Sequence, residues 1–300
     1  MQKLKAWLKA ARPPSQTYIA FPILFGQMIW LARTGEISWP AFVLAQLFGV
    51  FDQLYIVFAN DWADLETDRR NNTYNIFSGG SRVLVEGALE RRQLGIAAVL
   101  MTVLALGTGG GLWLLKGSAT PLAAMTLGIA LLWGYSFPPF RLNYRGAGEI
   151  LQTLGVGAVL PVVGFTAQGG SLASFPWSVL AMTLPVSLAC AVTTSLPDEP
   201  SDRFARKRTA SVLLGIDGAR RTASLLFILG IIAWLVLQPL EGGLIPHVLP
   251  VLIPAFLVAR ALFVRDALPG TKPLTTLVTA LVAANVLLFV GVSIMAGAVG

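Results

Sequence analysis

Apolar runs of about 20 residues recur along this chain with short polar connectors between them, and this repetition is its strongest constraint. A helix of about 20 residues rises about 30 Å, the thickness of a bilayer's hydrocarbon core. Nine such runs are predicted, at residues 15–33, 39–59, 93–115, 119–138, 149–167, 176–196, 220–238, 246–264 and 274–297. In lipid every backbone N–H and C=O needs a partner within the protein, so runs of this length must be helices. Their internal glycines and prolines are tolerable in membrane helices. A single soluble core could not absorb the apolar content. The chain is 55% hydrophobic and only 12% charged, with a mean hydropathy of +0.70, against about 25% charged in soluble domains. The expected fold is all-α: one polytopic membrane domain over residues 1–300.

Charge gives the bundle its sides. Nine spans alternate ten flanking segments between two faces, and 20 of the 22 Lys and Arg residues fall on one of them. The other face carries only Arg33 and Lys116. By the positive-inside rule the basic face is cytoplasmic, with the N-terminus inside and the C-terminus outside. The expected location is the bacterial cytoplasmic membrane. No cleavable signal peptide is expected, because the first twelve residues are basic and amphipathic. Both long loops, after spans 2 and 6, lie on the basic face, so function is expected there.

Composition excludes several chemistries. One cysteine, Cys190, allows neither an intramolecular disulfide nor a cysteine-based zinc site. The one histidine, His247, sits in a Pro-flanked connector far from the acidic motifs and is read as an interfacial polar residue. The net charge of +7 is scattered through loops and points to no nucleic-acid partner. Nothing in the sequence requires a protein partner.

The acids are the unusual feature. "NDWADLETDRR" closes span 2, and Asp61, Asp64 and Asp68 are spaced i, i+3, i+7. On a helix that spacing puts three carboxylates on one stripe. They either hold a divalent cation or form a solvated helix end paired with Arg69 and Arg70. "PDEPSDRFARKRT" follows span 6 in the same way. The form D-x-x-x-D-R occurs at Asp64–Arg69 and again at Asp198–Arg203, 134 residues on. Two matches at equivalent topological positions favour the cation. They also suggest pseudo-repeated halves, about 15–138 and 149–264, with a last helix added. With hard oxygen ligands and no Cys or His nearby, the cation expected is Mg²⁺. Arginines and lysines around such a centre suit a diphosphate. The candidates are Arg69, Arg82, Arg141, Arg145, Arg203, Lys207 and Arg208.

These residues resemble a known family. Asn60-Asp61-x-x-Asp64-x-x-x-Asp68 is similar to the first motif of the UbiA superfamily of intramembrane prenyltransferases. Asp198-x-x-x-Asp202 with its downstream "RKRT" resembles the second. "YSFPPFRLNYRGAGE" and "ARPPS" resemble two further family segments. The resemblance implies nine spans around a central cavity with a cytoplasmic cap. It also implies Mg²⁺-dependent transfer of a prenyl group from an isoprenyl diphosphate to an acceptor, commonly aromatic, with the prenyl tail in contact with membrane lipid. It assigns Asn60, Asp61, Asp64, Asp68, Asp198 and Asp202 to metal and diphosphate. Arg141 and Arg145 fall near the phosphates, and Arg12 is a further candidate. Tyr55 and Tyr135 could stabilise an allylic cation or serve as interface anchors.

Within the family, "FSGGSRVLVEGAL" (77–89) looks more like the 1,4-dihydroxy-2-naphthoate, or menaquinone, branch than like relatives that prenylate 4-hydroxybenzoate or tetrapyrroles. Homogentisate and glycerol-lipid acceptors remain alternatives. Two glycines there would let backbone N–H groups approach an anion; a flexible loop is the other reading. Ser195 and Pro200 depart from the second motif's usual form. Asp52, well inside span 2, is a functional candidate because an acid in an apolar span is costly. It could bind acceptor hydroxyls or pair with another helix, and Gln152 is a similar candidate. Two rivals stand. A CDP-alcohol phosphotransferase would need D-G-x-x-A-R, which is absent. An ion-coupled transporter would place its acids nearer the midplane.

Overall fold

The computed structural model describes residues 2–74, 77, 79–237 and 243–299. The last residue of predicted span 7, Gln238, and Ser78 of the glycine-rich loop lie outside the described residues. Among those described, the chain is helical without strands. The helices are α1 (Gln2–Ala11), α2 (Thr17–Thr34), α3 (Trp39–Ala63), α4 (Leu65–Arg70), α5 (Arg91–Lys116), α6 (Thr120–Ser136) and α7 (Gly148–Leu154). They continue with α8 (Leu160–Gln168), α9 (Leu180–Ser195), α10 (Glu199–Phe204), α11 (Ala210–Leu237), α12 (Leu244–Leu262) and α13 (Lys272–Val299).

Seven segments are long and apolar enough to cross a membrane: α3, α5, α7–α8, the stretch from Trp177 to Phe204, α11, α12 and α13. α2 and α6 stand where spans 1 and 4 are predicted, with 18 and 17 residues, and are not among the seven. α2 carries Pro22 and a buried Gln27, which lower its apolar character. A π-helical turn, Gly155–Val159, joins α7 to α8. α11 starts ten residues before the predicted 220 and bends at Gly215 (φ 69°, ψ 167°), where glycine escapes the Cβ clash that other residues meet.

Sequence neighbours pack in order: α2 on α3, α3 on α5, α5 on α6, α6 on α7, α7 on α9, α9 on α11, α11 on α12, α12 on α13. α13 then returns to α2 and closes the ring. The buried apolar residues form two clusters. One centres on Phe48, Leu94, Met125 and Val163, the other on Met182, Phe227, Leu277 and Phe289. α2 and α8 contribute to both. These two helices meet backbone to backbone. A β-carbon on Gly26 would come within 2.8 Å of Phe165 N, and one on Gly164 within 2.9 Å of the Ile23 carbonyl carbon. Small residues permit this approach, which stands in for hydrophobic drive where both helices can face lipid.

One end of the ring is covered. α1 lies against α3, with Trp7 edge-on to Phe58 at 5.7 Å and Lys9 paired to Glu86 at 2.6 Å. The segment after Gly79 folds back over α3 and ends at Glu90, which caps α5 in a reciprocal pair with Gln93. Ser81 and Gly80 of this segment reach Asp61 and Asp68.

Candidate functional site

The first acidic motif is not one continuous helix. α3 ends at Ala63, Asp64 leaves helical geometry (φ −96°, ψ 11°), and α4 resumes at Leu65. Backbone bonds still bridge the joint, Asp64 N to Asn60 O at 2.8 Å and Asp68 N to Asp64 O at 2.9 Å. Asp61 and Asp68 both approach Gly80 while Asp64 meets Lys207, and Asp68 still feels both neighbouring carboxylates.

Asp61 is buried, and its carboxylate accepts from the Arg12 guanidinium and from the Ser81 hydroxyl, with Ser81 N 3.2 Å from both oxygens. Gly79 and Gly80 take left-handed φ values of 75° and 70°, which turn Ser81 N–H inward. The anion these glycines serve is thus the chain's own Asp61. A β-carbon at Gly80 would lie 2.9 Å from Asp68 Cγ and 3.2 Å from Asp61 Oδ1. Both carboxylates face a cradle that only glycine leaves open. Burial, then the Asp64 and Asp61 charges, push the Asp68 carboxyl up to about 7. Asn60 accepts from Ser136 of α6 at 2.7 Å.

The second motif begins in a helical turn at Leu196–Asp198, and α10 starts with Pro200 in its first turn, where a missing N–H costs nothing. The two motifs meet across the bundle. Lys207 Nζ stands 2.9 Å from Asp64 Oδ2 and 3.6 Å from Asp202 Oδ1, with the lysine buried. Burial alone would lower the ammonium's pKa, but the Asp64 and Asp202 carboxylates hold it well above its ordinary value. Tyr144 OH donates to Asp64 at 3.4 Å, and Asn71 Nδ2 donates to Asp198 Oδ1 at 2.7 Å.

Other predicted residues lie elsewhere. Arg69 is exposed and pairs with Glu66 at 2.8 Å, so the structure does not bring it into the cluster. Arg203 likewise pairs outward with Glu199. Arg82 spends its guanidinium on the carbonyls of Asp68 (2.9 Å) and Asn71 (3.3 Å) and on the Tyr74 ring. These contacts tie residues 68–74 to Arg82. Arg141 stacks on Tyr144, at 4.2 Å from the ring centre, at the rim of the cluster, and exposed Arg145 donates to Pro139 O. Asp52 is buried on α3 with Oδ1 unpartnered, one turn before the buried ring of Tyr55. Gln152 donates to Tyr18 OH at 3.2 Å. Tyr135, on α6, has Lys207 and Asp64 among its electrostatic neighbours. Sequence reasoning missed Asn71, Ser81, Ser136 and Tyr144. Ser81 directly follows the Gly-Gly pair and Tyr144 lies in the Tyr135–Glu149 segment, so their positions carried a signal; Asn71 and Ser136 are isolated polar residues that only the fold brings to the acids.

Among the described residues, no three acids, histidines or cysteines converge closely enough to hold an ion by themselves. The donor set still fits Mg²⁺. It is all hard oxygen, two carboxylates face one cradle, and Mg²⁺ keeps waters and shares itself with phosphate oxygens rather than demanding a full protein cage.

Apolar helices of membrane-spanning length, carrying at one end a buried, cation-balanced set of carboxylates from two distant segments, define a polytopic helical protein with an all-oxygen polar centre. The chain belongs to the UbiA prenyltransferase family, which it matches over residues 19–277. It is 28% identical over 193 residues to a 2-carboxy-1,4-naphthoquinone phytyltransferase of Synechocystis, a match spanning 63% of this chain and 58% of that relative. It is 26% identical over 231 residues to a lycopene elongase/hydratase of Corynebacterium glutamicum, across 76% of each chain. Its fold is that of a UbiA homolog from Archaeoglobus fulgidus solved with DMAPP and Mg²⁺, with a TM-score of 0.73 at 17% identity over 96% of this chain and 99% of the other.

Proposed function

We propose that the chain is a Mg²⁺-dependent prenyltransferase moving an isoprenyl group from its diphosphate to an aromatic acceptor of the 1,4-dihydroxy-2-naphthoate type, in menaquinone synthesis. One observation carries the reading: Lys207 joins Asp64 of the first motif to Asp202 of the second, so both acidic segments address one centre. The naphthoquinone substrate in the Synechocystis relative's name supports the acceptor. The basic face supports a cytoplasmic position for the site in a bundle of nine spans, α2 and α6 completing the seven, around a central cavity.

Mg²⁺ bound at Asp61, Asp64, Asp68, Asp198 and Asp202 would neutralise the diphosphate and improve it as a leaving group. Lys207 and Arg12 supply positive charge to diphosphate oxygens once the carboxylates are engaged. The C1–O bond of the prenyl donor breaks with its electron pair leaving on diphosphate. The apolar bundle keeps water from the allylic cation, and the faces of Tyr55 and Tyr135 stabilise it. The electron-rich ring attacks C1, and the attacked carbon gives up what it carried, a proton or its carboxylate as carbon dioxide. Asp52 and Gln152 hold the acceptor's polar groups. None of these steps needs a strongly activated base, which agrees with the absence of a histidine near the acids.

A second reading keeps the donor chemistry and replaces the acceptor with a polyene, since the lycopene elongase/hydratase match covers 76% of both chains. The hydroxylated ring offers the unpartnered Asp52 Oδ1 a hydrogen-bond donor that a hydrocarbon lacks, so we favour the hydroxylated ring. The test is prenyl transfer in membranes carrying the protein, with geranylgeranyl diphosphate, Mg²⁺ and 1,4-dihydroxy-2-naphthoate, 4-hydroxybenzoate or lycopene, comparing wild type with Asp64→Asn. A prenylated naphthoquinol, read as its quinone after oxidation by air and lost in the variant, is the expected result. Product from another acceptor reassigns the branch. No Mg²⁺-dependent diphosphate release at all overturns the enzyme and revives a transporter.

A further inference from the structure

The acidic centre carries its own cation. Lys207 follows α10 through a tight turn in which Ala205 N bonds Ser201 O at 2.9 Å, Arg206 takes φ 58°, and Lys207 N bonds Asp202 O at 2.8 Å. That turn folds the side chain back into the protein. Its stem is buried, its ammonium lies 5.3 Å from the centre of the Tyr144 ring, and the tyrosine hydroxyl in turn donates to Asp64. The ammonium stands between carboxylates that come from opposite halves of the chain. Arg12 does the same for Asp61 from the other side, reached by a left-handed backbone at φ 42°. Buried carboxylates left without a counter-charge are costly. Removing either cation would leave that cost exposed.

We propose that Lys207 is the internal counter-cation of the metal-free site. Its ammonium holds the two motifs together in the place the metal and diphosphate later occupy, and it must leave Asp64 before metal can bind there. Lys207 is then a positioning residue in competition with the metal. This rests on the prenyltransferase reading above. One consequence separates it from a simple phosphate clamp. A clamp acts only when diphosphate is present. A competitor weakens metal binding when diphosphate is absent.

The test is Mn²⁺ binding by the full-length, detergent-solubilised chain without diphosphate, followed by the electron paramagnetic resonance of the free ion. Wild type, Lys207→Met and Lys207→Arg are compared. Removing a unit charge 2.9 Å from a ligand oxygen should tighten Mn²⁺ binding in Lys207→Met by about tenfold or more, while Lys207→Arg stays near wild type. The metal-free melting temperature of Lys207→Met should fall and recover with Mn²⁺. A folded Lys207→Met that binds Mn²⁺ no tighter than wild type overturns the proposal. So does a Lys207→Met that Mn²⁺ cannot restore. Diphosphate release by wild type is scored separately. Release without the tightening removes this proposal and leaves the function, whereas neither binding nor release removes both.

Discussion

Gly80 leaves Asp68 room that a side chain would take: a β-carbon on the glycine would sit 2.9 Å from Asp68 Cγ. Gly80→Ala therefore meets two penalties. The methyl collides with the carboxylate, and φ 70° is strained for any L side chain by about 1–2 kcal/mol. The expected result is a lowered melting temperature and loss of Mg²⁺-dependent prenyl transfer together. Gly87, also at positive φ but with open space around its α-carbon, is the control: Gly87→Ala should lose some stability and keep its activity.

Asp68 makes the metal-free protein sensitive to pH. An aspartate in an unfolded chain titrates near about 3.9, and folding raises Asp68 to about 7 by burial and by the neighbouring carboxylates. Between these values the folded chain holds a proton the unfolded chain has lost, so stability falls as pH rises. Below the unfolded value the contribution is fully present. Melting curves in chelator should decline across that window, and less steeply in Asp68→Asn. Mg²⁺ affinity should rise over the same window, because binding must expel the proton.

Arg69 should be dispensable. It is half exposed and its partner Glu66 more so, and such surface pairs contribute about 0–1 kcal/mol. Arg69→Ala is expected to keep prenyl transfer within about twofold. A large loss would mean that Arg69 turns inward when diphosphate binds.

The α2–α8 crossing should tolerate no added volume. With Gly26 against Pro161 and Phe165, and Gly164 against Ile23 and Gln27, Gly26→Leu must push two backbones apart. The expected cost is about 3 kcal/mol or more, read as loss of folded protein in a thermal-shift series in detergent.

Much of this was legible in the sequence because lipid imposes a length. The apolar runs located α3, α5, α9 and α12 within a few residues, since a span must cover a fixed thickness and its ends must be polar. The start of α11 was missed because residues 210–219 are neither charged enough to read as loop nor apolar enough to read as span, and the bend at Gly215 hides the join. The acids themselves were found through their repeated spacing. Lys207 and Arg12 stood among the candidate cations, but sequence position could not choose them from the other arginines. Arg69 stands beside Asp68 in sequence yet points away, because neighbours on a helix face different directions. Arg12 and Lys207 are 49 and 143 residues from the acids they meet, a relation only the folded ring creates.

That separation has a consequence for how the protein is made. Chain synthesis delivers Asp61, Asp64 and Asp68 to the membrane surface long before Asn71 and Asp64 can find Asp198 and Lys207, which follow four further predicted spans. Until then the first acidic segment has Arg12 and Ser81 as partners and nothing from the second half. The polar centre is thus completed late, once α9 and α10 are in place, and a ribosome stalled before residue 207 would leave a half-bundle whose carboxylates remain open to water and to free cations.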